Sequence, residues 1–337
     1  PCQLTCPAHV DIQGYIALLA LGKYKEAVAL IKETNPLPSV CGRVCTRPCE
    51  GQCRRNITDE PVGVDYLKRY AADLDRECGH PFSPERKPAT GRRVAVVGGG
   101  PAGLTAAYYL ALEGHSVTIF ESQPKSGGWL RYGIPEYRLP EDILDYEVDS
   151  ILKLGVEMQT GRRLGRDFTL EGLFDQGYEA IFLGIGAWSS TKMNIPGEDA
   201  QGVMAGIDFL EKVNRGELTS MTGRAIVVGG GNTAVDAART SLRLGASQVT
   251  VVYRRSRKEM PAHPAEIEDM EKEGVRLELL TNPIAIHKDE QGRVQRVTCI
   301  RMELGEPDAS GRRRPVPVAG SEFDIEADWV FQAVGQQ

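Results

Sequence analysis

Four cysteines recur at every fourth position in the run CGRVCTRPCEGQC, which extends from Cys41 to Cys53. A further pair, Cys2 and Cys6, precedes this run, and a proline follows Cys6 directly. Thiolates at such spacing bind structural zinc, pair as disulfides or hold an iron–sulfur cluster. Zinc sites usually show shorter C-x2-C knuckles, and clustered cysteines beside nucleotide motifs favour metal over a secreted disulfide framework. The pattern therefore favours an iron–sulfur cluster, with zinc and disulfides as the alternatives.

A glycine-rich turn follows the apolar stretch that begins at Arg93, in the sequence RVAVVGGGPAG. The turn matches G-x-G-x-x-G and consists of Gly98, Gly99, Gly100, Pro101, Ala102 and Gly103. The first glycine allows the tight turn, the second lets backbone approach a pyrophosphate, and the third packs helix on strand. Glu121 closes the next strand about 20 residues on, where an acidic side chain binds a ribose hydroxyl. The stretch predicts a dinucleotide site on a helix N-terminus rather than glycines of purely structural use.

A second strand and glycine turn begin at Arg224, in the sequence RAIVVGGGNTAVD. The candidate contacts in this turn are Gly229, Gly230, Gly231, Asn232, Thr233 and Ala234. The next strand ends at Arg254 and Arg255, whereas the corresponding strand of the first unit ends at Glu121. A carboxylate there would repel a 2′-phosphate, whereas guanidinium groups bind phosphate bidentately. The second site is predicted to prefer NADP(H) over NAD(H), and the alternative is that the arginines form a solvated strand end.

The stretch from Gly127 to Pro140, GGWLRYGIPEYRLP, is too rich in glycine and proline to predict a regular element. Glycines admit a flat ring system close to the backbone, so this is either a loop over a flavin or a long surface loop. The residues alone leave both open. A later basic run, Arg312 to Arg314, is predicted to lie at a solvent-exposed hairpin tip.

Composition excludes several classes of protein. The net charge of −6 opposes a general nucleic-acid-binding surface. No apolar run reaches the roughly 18 residues that span a bilayer, so no membrane span is expected. Because no signal peptide is visible and the cysteines cluster, we expect a reducing compartment, the cytoplasm. The second nucleotide unit has no C-x-x-C pair, which disfavours a disulfide reductase of the thioredoxin reductase type.

The cysteine run, the preceding CxxxCP, the two nucleotide motifs and the GGWLRYGIPEYRLP loop together resemble the small (beta) subunit of glutamate synthase and its relatives. The same module is found in the N-terminal half of dihydropyrimidine dehydrogenase, and the resemblance covers essentially the whole chain. It implies an electron-input module in which hydride passes from NADPH to FAD and single electrons pass to 4Fe–4S and an electron-accepting subunit or fused domain. The rival functions are delivery to another acceptor, such as ferredoxin, a hydrogenase or a formate dehydrogenase, and a non-catalytic docking domain.

The resemblance also implies residues for each cofactor. It assigns the loop to FAD, with Gly128, Trp129, Leu130 and Arg138 as contacts. It implies one set of cluster ligands, Cys6, Cys45, Cys49 and Cys53, with Cys2 and Cys41 as less favoured candidates. Relatives supply a Gln or acidic ligand on a helix where this chain has Lys68, a poor ligand while protonated, so a second cluster is left open. No catalytic acid or base is assigned, because the cofactors carry the chemistry.

The predicted fold class is α/β, with an all-α cysteine-rich iron–sulfur domain followed by two Rossmann-like nucleotide-binding domains, the second inserted in the first. The predicted boundaries are 1–79 for the helical domain, 80–92 for a linker, 93–188 with 327–337 for the FAD domain, and 189–326 for the NAD(P)H domain. Within the helical domain, Asp11 is expected to cap a helix. The strand near 330 is expected to return to the FAD domain, which further chain would complete.

Overall fold

The computed structural model describes residues 1–309 and 311–335, so Ser310, Gln336 and Gln337 lie outside the described residues. The chain divides into two compact units, Pro1–Arg131 with Glu136–Gly186, and Tyr132–Pro135 with Ala187–Gln337. Within the described part of the chain, no helix has the length and apolar character needed to cross a membrane.

The cysteine-rich head of the first unit is helical. Its helices are α1 (Cys2–Thr5), α2 (Ile12–Ala20), α3 (Tyr24–Lys32), α4 (Pro38–Val44), α5 (Pro48–Gly51) and α6 (Val64–Glu77), with a 3-10 turn at Arg54–Ile57. Asp11 caps α2 as predicted, because its carboxylate accepts the Gly14 N–H at 2.9 Å. The short helices α4 and α5 carry cysteines of the run, and each begins with a proline, whose fixed φ suits the first helical position.

A parallel sheet forms the rest of the first unit. Its strands are β1 (Arg93–Val97), β2 (Ser116–Phe120), β3 (Glu157–Gln159) and β4 (Ala180–Leu183), and its helices are α7 (Pro101–Leu112), α8 (Trp129–Tyr132), α9 (Glu141–Leu152) and α10 (Leu170–Asp175). The strand order is β3-β2-β1-β4. Because β1 and β2 are parallel neighbours, their carboxyl ends meet at one edge. Gly98 and Glu121 follow these two ends, so the sheet brings them together.

The second unit is built on another parallel sheet. Its first elements are β5 (Val203–Ala205), α11 (Gly206–Asn214), β6 (Arg224–Val228), α12 (Asn232–Arg243), β7 (Gln248–Tyr253), a 3-10 turn at Arg257–Glu259, α13 (Pro264–Lys272) and β8 (Arg276–Leu279). An antiparallel sheet follows, with β9 (Thr281–Lys288), β10 (Val294–Pro307), β11 (Arg313–Pro317) and β12 (Phe323–Glu326). The last described strand, β13 (Trp329–Gln332), rejoins the parallel sheet, whose order is β5-β13-β6-β7-β8.

The prediction that the strand near 330 returns to the FAD domain is wrong for β13. Val330 pairs with Val203 on one side and with Ile226 on the other, both in the second sheet. Val330 and Phe331 are fully buried on opposite faces of this sheet, and the Phe331 ring stacks on Phe209 at 4.0 Å between centroids. An apolar strand of this kind suits the centre of any parallel sheet, so its pattern does not identify the sheet. The end of the predicted segment, Gln336 and Gln337, lies outside the described residues.

Candidate functional sites

The first glycine turn leaves space for side chains at only one of its motif positions. Gly98 has a φ of +107°, and a Cβ added there would lie 2.3 Å from the Gly184 carbonyl oxygen. A Cβ on Gly103 would lie 1.8 Å from the Gly98 carbonyl oxygen, which no side chain tolerates. At Gly100 the nearest atom would be the Gly128 Cα at 3.7 Å, an ordinary contact. Packing therefore requires the first and third glycines, whereas the second leaves room for a ligand.

Glu121 lies buried beside this turn, where the motif places the acid that binds a ribose. Its carboxylate accepts the N–H of Gly99 at 2.6 Å and the N–H of Gln123 at 2.7 Å, which fixes its orientation. Helix α7 begins directly after the turn, with Pro101 and Ala102 exposed, and none of the described side chains caps it. Its first N–H groups and its dipole favour an anion at this end.

The predicted flavin loop begins against the glycine turn. Gly128 has a φ of +54°, and a Cβ added there would lie 2.9 Å from the Gly100 Cα. Trp129 and Leu130, both half-buried, then form α8, one helical turn where the glycine and proline content predicted no regular element. The N–H of Leu130 closes this turn by donating to the Gly127 carbonyl at 3.1 Å, which the left-handed backbone at Gly127 and Gly128 makes possible.

Arg131 positions this loop, and no sequence motif singled it out. Its buried guanidinium donates to the Ser126 carbonyl at 2.6 Å and to the Asp145 carboxylate on α9. Ser126 precedes the two loop glycines, so these bonds tie the start of the loop to α9. Arg138, the predicted contact at the far end of the loop, is half-buried.

The second glycine turn repeats the arrangement of the first. A Cβ on Gly229 would lie 2.4 Å from the Ala333 carbonyl oxygen, and one on Gly230 would lie 2.6 Å from the Tyr253 ring. At Gly231 the nearest atom would be a Pro261 carbon at 3.9 Å. Ala234 is fully buried where α12 packs on the sheet, as the third motif position requires. Gly231 is thus the position that is open to a ligand.

A cavity of about 750 Å³ opens beside this turn, at the carboxyl end of the second sheet. Its lining includes Gly229, Gly230, Gly231, Thr233, Arg254, Arg255, Asn282 and Arg312, together with segment 190–193. The volume is that of a pocket for a cofactor-sized ligand. Asn232 adjoins the turn and is oriented by the His263 N–H, which donates to its Oδ1 at 3.4 Å.

The two arginines at the end of β7 have different surroundings. Arg254 is exposed at the cavity. The Arg255 side chain is buried, and its guanidinium donates to the Arg313 carbonyl at 2.8 Å and to the Asp308 carboxylate at 2.7 Å. The sequence pattern predicted that both arginines contact the phosphate. In the structure, the Arg255 guanidinium instead binds the hairpin of β10 and β11.

Two cysteines of the run interact directly in the helical head. Cys41 and Cys45 are hydrogen-bonded to each other, which lowers the pKa of the Cys41 thiol and raises that of Cys45. The Lys68 ammonium lies 3.1 Å from the Cys41 sulfur and 3.1 Å from the Asp65 carboxylate. Burial is the main cause that raises the pKa of Cys49 to about 11. Thiolates are the donors that iron–sulfur clusters require, so the donor chemistry fits the predicted cofactor.

A second cavity of about 430 Å³ lies in the head, lined by Cys2, Cys49 and Cys53 with the apolar side chains of α2. The predicted ligand set placed Cys53 with Cys6 and left Cys2 aside, whereas here Cys2 and Cys53 share one cavity. Among the described residues, no three Cys, His, Asp or Glu side chains already converge as metal ligands do. The ligand sets therefore remain predictions.

Glu147 joins the head to the nucleotide-binding part of the first unit, and no motif predicted it. From α9 its buried carboxylate accepts the N–H of Ser39 at 2.7 Å and the N–H of Val40 at 3.0 Å, at the start of α4. Desolvation raises the pKa of this carboxyl to about 7, against the lowering effect of the two N–H donors and of the buried Lys32. Glu147 thereby fixes the helix that carries Cys41.

Residues 92–337 match the sequence profile described as pyridine nucleotide-disulphide oxidoreductase. The chain belongs to this family. Residues 1–80 match a second profile, described as dihydropyrimidine dehydrogenase domain II with a 4Fe-4S cluster. The pyridine nucleotide-disulphide oxidoreductase part thus contains both glycine turns, and the cysteine run lies in the iron–sulfur part.

Several curated relatives match the chain from end to end. The NADPH-Fe(3+) oxidoreductase subunit beta of Geobacter sulfurreducens is 47% identical over 343 residues, covering 100% of this chain and 51% of the relative. The NADP(+)-dependent formate dehydrogenase subunit beta of Moorella thermoacetica is 45% identical, and the match covers 100% of this chain and 51% of the relative. The glutamate synthase (NADPH) small chain of Escherichia coli is 38% identical, and the match covers 99% of this chain and 73% of the relative. The chain therefore spans about half the length of the first two relatives.

Among solved structures, Mycobacterium tuberculosis FprA in complex with NADPH has a TM-score of 0.63 at 22% identity, covering 74% of this chain and 71% of FprA. This likeness supports the fold, and it confirms the predicted α/β class for this member of the pyridine nucleotide-disulphide oxidoreductases. The family and the relatives also confirm the resemblance to the glutamate synthase small subunit and the predicted cofactors, FAD, NADP(H) and 4Fe–4S. The three curated relatives are each named as one subunit or chain of an enzyme.

Proposed function

We propose that this chain is the electron-input module of a cytoplasmic enzyme. FAD accepts hydride from NADPH, and 4Fe–4S carries single electrons to an electron-accepting subunit or fused domain. The contrast between the two nucleotide sites carries the proposal. Each glycine turn follows a parallel strand, but Glu121 lies beside the first and Arg254 lies at the second. A ribose hydroxyl suits the carboxylate, and a 2′-phosphate suits the guanidinium.

At the first site, Gly100 leaves the space through which a pyrophosphate reaches the N-terminus of α7. Glu121, held by the Gly99 N–H, accepts from the ribose hydroxyl. The loop of Gly128, Trp129, Leu130 and Arg138 covers the flavin, and Arg131 holds the start of that loop on α9. These roles orient the cofactor, and none of them requires a proton transfer.

At the second site, the N-terminus of α12 binds the pyrophosphate through the open position at Gly231, with Asn232 and Thr233 beside it. Arg254 binds the 2′-phosphate. In the head, Cys6, Cys45, Cys49 and Cys53 supply thiolates to 4Fe–4S. The less favoured candidate Cys2 gains support because it lines the same cavity as Cys53.

The relatives bear on the electron acceptor. Glutamate synthase is the acceptor system that the sequence motifs resemble, and the Escherichia coli small chain is 38% identical. The NADPH-Fe(3+) oxidoreductase and formate dehydrogenase subunits are 47% and 45% identical, which favours delivery to another acceptor as the second candidate. Anaerobic spectra of the full-length protein test what both candidates share. Flavin bands that bleach with NADPH support the module, and absent bands or bands that persist contradict it.

Arg254→Ala is expected to weaken NADPH selectively. Loss of a charged hydrogen-bonding partner costs about 1.5–3 kcal/mol, so KM for NADPH should rise roughly tenfold or more while KM for NADH stays unchanged. Steady-state reduction of an artificial acceptor measures both constants. Lys258→Ala removes a nearby exposed cation that does not line the cavity, and it should change neither. An equal rise for NADH and NADPH in Arg254→Ala would contradict the phosphate role.

Cys45→Ser is expected to lower iron and acid-labile sulfide in the anaerobically purified protein, because a serine hydroxyl replaces a thiolate ligand. Cys78→Ser is the control, since Cys78 is exposed at the end of α6, outside the cysteine run. Colorimetric iron and sulfide assays with FAD content as internal reference measure the effect. Wild-type iron content in Cys45→Ser would remove Cys45 from the ligand set.

A further inference from the structure

The hairpin of β10 and β11 ends at the cavity of the second nucleotide site. Its strands pair from Met302 with Pro317 to Pro307 with Arg313. Arg312 directly precedes β11 and lines the same cavity as Arg254. The sequence pattern predicted a solvent-exposed tip here, and the hairpin is present, but one of its arginines faces the nucleotide site.

The three arginines of the run differ in what they contact. The Arg313 guanidinium donates to the Gly305 carbonyl at 3.1 Å and to the Leu304 carbonyl, so it lies back along β10. Arg314 is exposed. Of these three described residues, Arg312 is the one that lines the cavity.

Arg255 fixes this tip on the end of β7. Its guanidinium holds the Asp308 carboxylate at 2.7 Å and the Arg313 carbonyl at 2.8 Å, one on each side of the turn. The Asp308 N–H in turn donates to the Arg312 carbonyl at 2.8 Å. The buried Arg255 side chain therefore sets the position of Arg312 relative to Arg254, its own neighbour in sequence.

We propose that Arg312 and Arg254 together bind the 2′-phosphate of NADP(H), and that Arg255 is a positioning residue which holds the hairpin in place. This rests on the proposed binding of NADP(H) at the second site. A phosphate monoester carries about −1.5 to −2 charges and three acceptor oxygens at neutral pH. One guanidinium binds two of these oxygens bidentately, and a second one offsets the remaining charge. Selectivity for the phosphate then depends on two segments that lie more than 50 residues apart in sequence.

Calorimetric titration of the full-length holoprotein with 2′,5′-ADP and with 5′-AMP tests this, because the two probes differ by the 2′-phosphate alone. Arg312→Ala is expected to weaken 2′,5′-ADP about tenfold and to leave 5′-AMP unchanged. Arg314→Ala, the matched control on the same hairpin, should change neither affinity. Unchanged 2′,5′-ADP binding in Arg312→Ala, or equal weakening of both probes, overturns the assignment.

Arg254→Ala in the same titration separates this proposal from the proposed function. If Arg254→Ala loses selectivity and Arg312→Ala keeps it, the assignment of Arg312 fails and NADP(H) binding stands. If neither variant changes the ratio of the two affinities, the NADP(H) preference of the site fails as well. Arg255→Ala should weaken the binding of 2′,5′-ADP as much as Arg312→Ala does. The double variant with both substitutions should bind 2′,5′-ADP no more weakly than either single variant. Additive losses would show that Arg255 binds the phosphate itself.

Discussion

Gly103→Ala is expected to unfold the first nucleotide site and release FAD, whereas Gly100→Ala is expected to release FAD from an intact fold. The added Cβ at Gly103 would lie 1.8 Å from the Gly98 carbonyl oxygen, so α7 must move away from β1. Overpacking against backbone costs about 3 kcal/mol or more. At Gly100 the Cβ meets the Gly128 Cα at 3.7 Å, which the apo fold tolerates. That methyl group instead occupies the space through which the pyrophosphate approaches the backbone.

Two measurements on each variant distinguish these effects: the FAD-to-protein ratio after desalting, and the midpoint of thermal unfolding of the FAD-free proteins, because bound FAD itself would raise the midpoint. Gly231→Ala is the matched control, since Gly231 is the open glycine of the second turn and a Cβ added there would meet the nearest described atom, a Pro261 carbon, at 3.9 Å. It should keep wild-type FAD content and midpoint while weakening NADPH. A wild-type midpoint for Gly103→Ala, or an equal fall for Gly100→Ala, would show that the two glycines do not divide these roles.

Glu147→Gln is expected to destabilise the attachment of α4, most strongly at acidic pH. Its two carboxyl oxygens, Oε1 and Oε2, each accept one backbone N–H in a buried site, whereas the amide of Gln supplies a single acceptor oxygen. Leaving a buried donor without its partner costs about 1–3 kcal/mol. The same change should also lower the amount of iron that stays bound when the protein is diluted, because α4 carries Cys41 and is followed directly by Cys45.

The pH dependence of the Glu147→Gln effect follows from the raised pKa of Glu147. The folded carboxyl titrates at about 7 against 4.5 when unfolded, so its stabilising contribution is complete below pH 4.5 and is lost as the pH rises to 7. This loss is about 3 kcal/mol in wild type and absent in Glu147→Gln. The stability difference between the two should therefore shrink from pH 5 to pH 8. Denaturant unfolding across this range measures it, with exposed Asp149→Asn on the same helix as control. A constant difference would refute the raised pKa.

The sequence predicted the structural features that are formed by residues close together in the chain. Both glycine turns, the Asp11 cap and the strands that enter the turns follow from residues within a few positions of one another, and the structure has them. The features that the sequence did not predict depend on contacts between residues far apart in the chain. Glu147 and Ser39 are 108 positions apart, and no periodicity connects them. Arg254 and Arg255 are equivalent in sequence, and only the hairpin about 55 residues later separates their roles.

The position of β13 has a consequence for biosynthesis. β5 and β6 cannot pair with each other, because β13 lies between them and pairs with both. About 100 residues separate the end of β6 from Trp329, the first residue of β13. A ribosome adds about 5–20 residues per second, so β13 is synthesised on the order of ten seconds after β6. During that interval one edge of β6 is open to other nascent chains, and long-range parallel pairing is slow even afterwards. We therefore expect chaperones to bind this domain in the interval before β13 is synthesised.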